Sequence, residues 1–125
     1  MPHSLIPFLS QSLVNNDPDG LSIAEILRIL PAGWRSKFER FIIETCGLLN
    51  TPMSGVDIRN GVLYLTPSEH GKHHELAILI TRALSQESAR VCMVCGQYGM
   101  RRKEQEHKPC LCRTHYLDFI NYVEE

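Results

Sequence analysis

GVDIRNGVLYLT, residues 55–66, decides how the chain is read. At its centre stands Asn60-Gly61, and both residues accept the positive φ that a type I′ turn demands, so the stretch predicts a hairpin with a two-residue loop. Counting back from that loop, Ile58 faces Leu63 and Val56 faces Leu65, which gathers the apolar side chains on one face and leaves Asp57, Arg59 and Tyr64 on the other. A one-residue slip would invert every side chain, so the register is well specified. Two strands alone are marginal in water, and helices must cover the apolar face. The expectation is an α+β domain: three to four helices packed on a small antiparallel β-hairpin.

The flanking sequence supplies those helices. NNDPDG, residues 15–20, is turn chemistry, and LSIAEILRIL follows it with Ser22 and Glu25 spaced for a capping box and Leu21 and Ile26 for a hydrophobic staple. Pro31 ends this helix. In GWRSKFERFIIETCGLLN, residues 33–50, Trp34, Phe38, Phe41, Ile42, Thr45 and Leu49 recur at helical spacing, and Cys46 beside that stripe reads as a small core residue. After Pro67, Leu76, Leu79, Ile80, Ala83 and Leu84 mark a third helix that leads towards Cys92, and His115 or Tyr116, with Phe119, Ile120 and Val123, marks a short last one. Residues 1–20 read as an N-terminal extension and 21–125 as a single domain containing a metal-binding segment at 91–115.

A chain of 125 residues with 43% hydrophobic residues can bury a core without disulfides. Its 13 basic and 14 acidic residues nearly cancel, which gives no global electrostatic reason to bind nucleic acid or a membrane. The first residues carry no basic lead-in or cleavage pattern of a secretory signal, and no apolar run approaches the roughly 18 residues of a membrane span. The expected location is the cytoplasm, where clustered cysteines serve metals or redox chemistry more often than structural disulfides.

Four of the five cysteines lie within VCMVCGQYGMRRKEQEHKPCLCRTH, residues 91–115. Cys92 and Cys95 form CxxC, Cys112 and His115 form CxxH, and 16 residues separate the pairs. Tetrahedral Zn2+ takes four such ligands from two short chelating pairs, and Gly96 and Gly99 suit the tight turn after the first. Cys110 and His107 are alternative ligands, because HKPC repeats the spacing. Cys112 is preferred, since CRTH opens the last helix and residues three apart share a face. Four protein ligands would make the ion structural rather than catalytic.

Gly33-Trp34 before a helix ending near Cys46, the glycine-containing strand pair, CxxCGxxG at Cys92–Gly99 and LCxxH at Leu111–His115 together resemble a group of small uncharacterised bacterial and prophage-encoded zinc-ribbon-like proteins. The resemblance spans roughly residues 33–115. It implies Cys112 rather than Cys110 as ligand, and it supplies no biochemical activity. Small cytoplasmic binders of prophage character commonly act as inhibitors, immunity or anti-defence factors, and the resemblance implies that kind of role.

Enzyme readings find little support. His70, His73 and His74 are spaced to bind a second metal if they lie on a helix, and otherwise are exposed residues at a helix start. HExxH is absent, the HxE and PCxxC deaminase pattern is not met, and the HNH-nuclease layout is too compressed. Nucleic-acid binding would rest on Arg101, Arg102, Lys103, Lys108 and Arg113 around the metal loop, diluted by Glu104 and Glu106. The remaining class is a non-catalytic protein binder, using surfaces such as Tyr64, Tyr98, Tyr116 and Tyr122 or the acidic turn at Asp17 and Asp19.

Overall fold

The computed structural model describes residues 5–124, with side chains through Asn121. It is an α+β fold in which a three-stranded antiparallel sheet, four helices and a two-stranded ribbon share one core. The hairpin forms as its sequence requires: β2 (Met53–Arg59) and β3 (Val62–Pro67) pair with Ile58 opposite Leu63 and Val56 opposite Leu65. Asn60 and Gly61 turn at φ 53° and 75°. On the outer face Arg59 lies over the Tyr64 ring and pairs with Asp57 at 3.0 Å.

A third strand, β1 (Gln11–Val14), pairs with the free edge of β2, so residues ahead of Gly20 also belong to the sheet, and Leu5 and Leu9 enter the core. Helix α1 (Ile23–Ile29) opens on the full capping box, Ser22 Oγ accepting from the Glu25 N–H and Glu25 Oε1 from the Ser22 N–H, both at 3.1 Å. Ser22→Ala should therefore cost about 1 kcal/mol, read as a lower midpoint in urea at unchanged m-value. Helix α2 (Ala32–Leu48) buries Trp34, Phe38, Ile42 and Thr45 and leaves Phe41 partly in solvent.

Helix α3 (His74–Ser88) packs on β3, but not by the stripe its leucines suggest. Ala77, Thr81, Leu84 and Ser88 face inward, whereas Leu76 and Leu79 are 47% and 60% exposed. Small residues let the helix lie close to the sheet, and the polar ones are satisfied there. Thr81 Oγ1 donates to the Ala77 carbonyl, and Ser88 Oγ accepts the Leu63 N–H at 2.9 Å. The helix begins at His74, two residues ahead of its first patterned leucine. Ser68 Oγ takes the His70 N–H and Thr51 Oγ1 the His73 N–H, holding residues 68–73 in turns. The last helix, α4 (Arg113–Glu124), seats Phe119 in the core, with Tyr116 and Ile120 half-buried beside it. The side chains of Tyr122 and Val123 lie outside the described residues. No helix among the described residues is long and apolar enough to cross a membrane.

Candidate metal centre

The chain leaves α3 and turns at once through Cys92-Met93-Val94-Cys95. The Gly96 N–H returns to the Cys92 carbonyl at 3.0 Å and the Cys92 N–H reaches the Gln97 carbonyl at 2.7 Å, which closes a knuckle that needs φ 80° at Gly96. That positive φ is why glycine follows the second cysteine. Two short strands, β4 (Met100–Arg101) and β5 (Cys110–Leu111), then pair antiparallel and bring the chain back, so that Cys112 arrives beside the knuckle just ahead of α4. His115 lies three residues into the next turn, on the same side.

The result is a single cluster. One ligand atom from each of Cys92, Cys95, Cys112 and His115 lies within 4.8 Å of all the others. Cys95 Sγ is 3.9 Å from Cys112 Sγ, and His115 Nδ1 is 3.6 Å from Cys92 Sγ and 3.2 Å from Cys112 Sγ. Bond lengths of about 2.3 Å to sulfur and 2.0–2.1 Å to nitrogen give a tetrahedron with edges of roughly 3.8 Å between sulfurs and 3.6 Å between sulfur and nitrogen. These three separations are close to those edges, so the four residues can bind one metal ion. Burial disfavours the Cys112 thiolate, but the His115 backbone N–H, the His115 ring and the neighbouring thiols outweigh it and bring the thiol down to about 7. Burial pushes Cys95 the other way.

The alternative ligands stand elsewhere. Cys110 pairs with Arg101 in the ribbon, is fully buried, and donates its thiol to the Ala89 carbonyl at 3.2 Å. Burial pushes that thiol up to about 12, as befits a neutral core group. His107 sits exposed in the loop at φ 65° with Glu106 as its neighbour. Of the histidines considered for a second metal, only His74 is helical, and its Nδ1 is 2.9 Å from the Ser68 carbonyl oxygen.

The basic loop is partly committed inward. Arg101 Nε donates to the Asn60 carbonyl at 2.7 Å, tying the ribbon to the hairpin tip. The Arg102 guanidinium lies 4.4 Å from the Tyr116 ring centroid, and the Tyr116 hydroxyl donates to Glu104. Lys103 and Arg113 are exposed, and Lys108 is half-buried at φ 42°.

The support beneath the knuckle is the part that spacing does not reveal. The Gly33 N–H, an orphan donor of the first turn of α2, is satisfied by the Met93 carbonyl at 2.8 Å, and Trp34 Nε1 donates to the Val91 carbonyl at 2.8 Å. A Cβ at Gly33 would stand 2.3 Å from the Cys92 carbonyl oxygen. The Gly-Trp pair thus forms the platform on which the CxxC turn rests. Beside its place in the resemblance, the pair's sequence signal is a glycine in the first turn of a well-patterned helix, where alanine is ordinarily the better helix former. Compared with protein-family models, curated proteins and solved structures, the chain gives no match.

Proposed function

We propose that the chain is a non-catalytic protein-binding domain whose C-terminal third is organised by one structural Zn2+ held by Cys92, Cys95, Cys112 and His115. The donor set carries this reading: three sulfurs and one imidazole nitrogen fill a tetrahedral shell and leave no position for water or substrate. Sulfur-rich, tetrahedral coordination suits zinc and is a poor fit to the hard cations Mg2+ and Ca2+. Among the described residues no second group of His, Cys, Asp and Glu is placed to hold a metal.

Between partners, the surface favours protein over nucleic acid. Arg101 and Arg102 are engaged with Asn60 and Tyr116, which removes two of the five candidate phosphate contacts, and the near-neutral net charge of −1 adds no attraction. Apolar side chains meanwhile stand in solvent: Leu48 at 81%, Tyr98 at 75% and Leu79 at 60% exposure. Affinity capture with the zinc-loaded protein from its native cell tests the proposal. One stoichiometric protein should remain bound at high salt and be lost from the Leu48→Glu, Leu79→Glu double variant, with stability held within about 0.5 kcal/mol because both sites are exposed. Salt-labile retention of nucleic acid, abolished by Lys103→Glu with Arg113→Glu, would overturn it.

A further inference from the structure

The five cysteines occupy different environments. Cys92 and Cys110 are fully buried, and Cys110 is hydrogen-bonded to Ala89. Cys46 is partly exposed but lies on α2, outside the cluster. The Cys92 sulfur also lies within 4.8 Å of Cys95 and Cys112, but only those two combine partial exposure with a sulfur neighbour that is itself partly exposed, 3.9 Å away. Small oxidants reach exposed thiolates first, and a sulfenic acid is trapped by whichever thiol stands beside it.

We infer that Cys95 and Cys112 form a peroxide-sensitive pair, whose oxidation to a disulfide releases the metal. This rests on the zinc reading for the release, and on the sulfur geometry alone for the cross-link. One of the two sulfurs attacks hydrogen peroxide, forming an S–O bond as the O–O bond breaks, and the departing hydroxide takes a proton to become water. The other sulfur then attacks the sulfenic sulfur; the S–S bond forms, the S–O bond breaks, and a second proton makes a second water. Two electrons pass from the sulfurs to the peroxide, and zinc leaves as Zn2+ without change of oxidation state. Cys92 and His115 remain, two ligands where a structural site needs four. The new bond joins the knuckle to the head of α4, so the C-terminal segment stays tethered while the site is lost. Closing from 3.9 Å to the roughly 2.05 Å of a disulfide is a local movement of two side chains.

The test is a hydrogen peroxide titration of protein whose metal content has first been measured, with released zinc read by a chromogenic chelator and cross-links mapped by mass spectrometry without reduction. The expected result is one zinc released per peroxide consumed, a Cys95–Cys112 cross-link, recovery with dithiothreitol and added zinc, and the same behaviour in Cys46→Ser. A cross-link through Cys92, Cys46 or Cys110, release through sulfinic acid without a cross-link, or retention of zinc at peroxide levels that oxidise a control thiol peptide would overturn the inference. Protein that takes up no zinc sinks the metal reading instead. In that case the cross-link is scored on the metal-free thiols: its formation upholds the pair and its absence rejects it.

Discussion

Stripping the metal with a strong chelator should lower the Tm by about 15–20 °C and free the segment from residue 91 to 115. Zinc binding to small zinc peptides is worth on the order of 10 kcal/mol, and if half of that survives the ordering of the loop, the net of about 5 kcal/mol corresponds to a shift of that size in a domain of this length. The loss has a definite location. An ion held there would join the Cys92–Cys95 knuckle to the start of α4; without it the ribbon β4–β5 keeps its two short strands, the Met93–Cys110 and Cys110–Ala89 hydrogen bonds, the contact of Arg101 with Asn60 and the burial of Cys110 and Leu111. The sheet and helices α1–α3 supply most of the shared core, Ile26, Leu30, Ile42, Ile58 and Leu63 among it, and should remain folded at room temperature. Two measurements separate local from global loss. Amide exchange should accelerate in residues 91–115 ahead of β2 and β3. Emission from Trp34, the single tryptophan, should shift because its indole N–H bonds to Val91 at the edge of the knuckle. Cys112→Ala should behave as the chelated protein does and respond no further to chelator. A melting curve unmoved by chelator, on protein shown to have carried one ion, would remove the structural role.

The parts of this arrangement that local chemistry dictates were legible in the sequence. The hairpin register follows from one two-residue turn and one alternation, and the α1 start from a reciprocal pair of side-chain bonds, neither of which needs tertiary context. The clustering of Cys92, Cys95, Cys112 and His115 follows from spacing, because CxxC and CxxH each bring two donor groups to one side of a turn. What stayed hidden depends on partners distant in the chain. Strand β1 is QSLV, half polar and short, and it is a strand because β2 offers it an edge. The inward face of α3 keeps Leu84 from the expected stripe but not Leu76 and Leu79, which hydrophobicity favours, because close approach to β3 favours Ala77, Thr81 and Ser88. Spacing alone does not separate Cys112 from Cys110; the helix that CRTH opens favours Cys112, and the structure agrees, since Cys112 joins the cluster while Cys110 pairs with Arg101 in the ribbon and its thiol meets the Ala89 carbonyl.

The platform under the knuckle yields the sharpest mutational contrast. Helix α2 contains two glycines, Gly33 and Gly47. Replacing an exposed helical glycine by alanine ordinarily stabilises by about 0.5–1 kcal/mol, through helix propensity and a less free unfolded chain. Gly47→Ala should do so, since a Cβ there meets nothing within 4 Å. At Gly33 the same change should reverse sign. The added Cβ would stand 2.3 Å from the Cys92 carbonyl oxygen, 2.6 Å from the Gly96 nitrogen and 2.8 Å from the Cys95 nitrogen. All three are main-chain atoms of the turn that positions two ligands, so no flexible side chain can yield. Either α2 withdraws, breaking the Gly33–Met93 and Trp34–Val91 hydrogen bonds, or the knuckle shifts and spoils the tetrahedron. Overpacking costs about 1–3 kcal/mol where side chains adjust, and the upper end applies to backbone against backbone. Displaced supporting groups lower metal affinity by roughly 10–100-fold. Gly33→Ala should therefore lose about 3 kcal/mol in denaturant melts and give up zinc to a competing chelator at correspondingly lower concentration, while Gly47→Ala gains stability and keeps its affinity. Equal stability of the two variants would show that the first turn of α2 does not support the CxxC turn, and the metal centre would then have to stand on the ribbon alone.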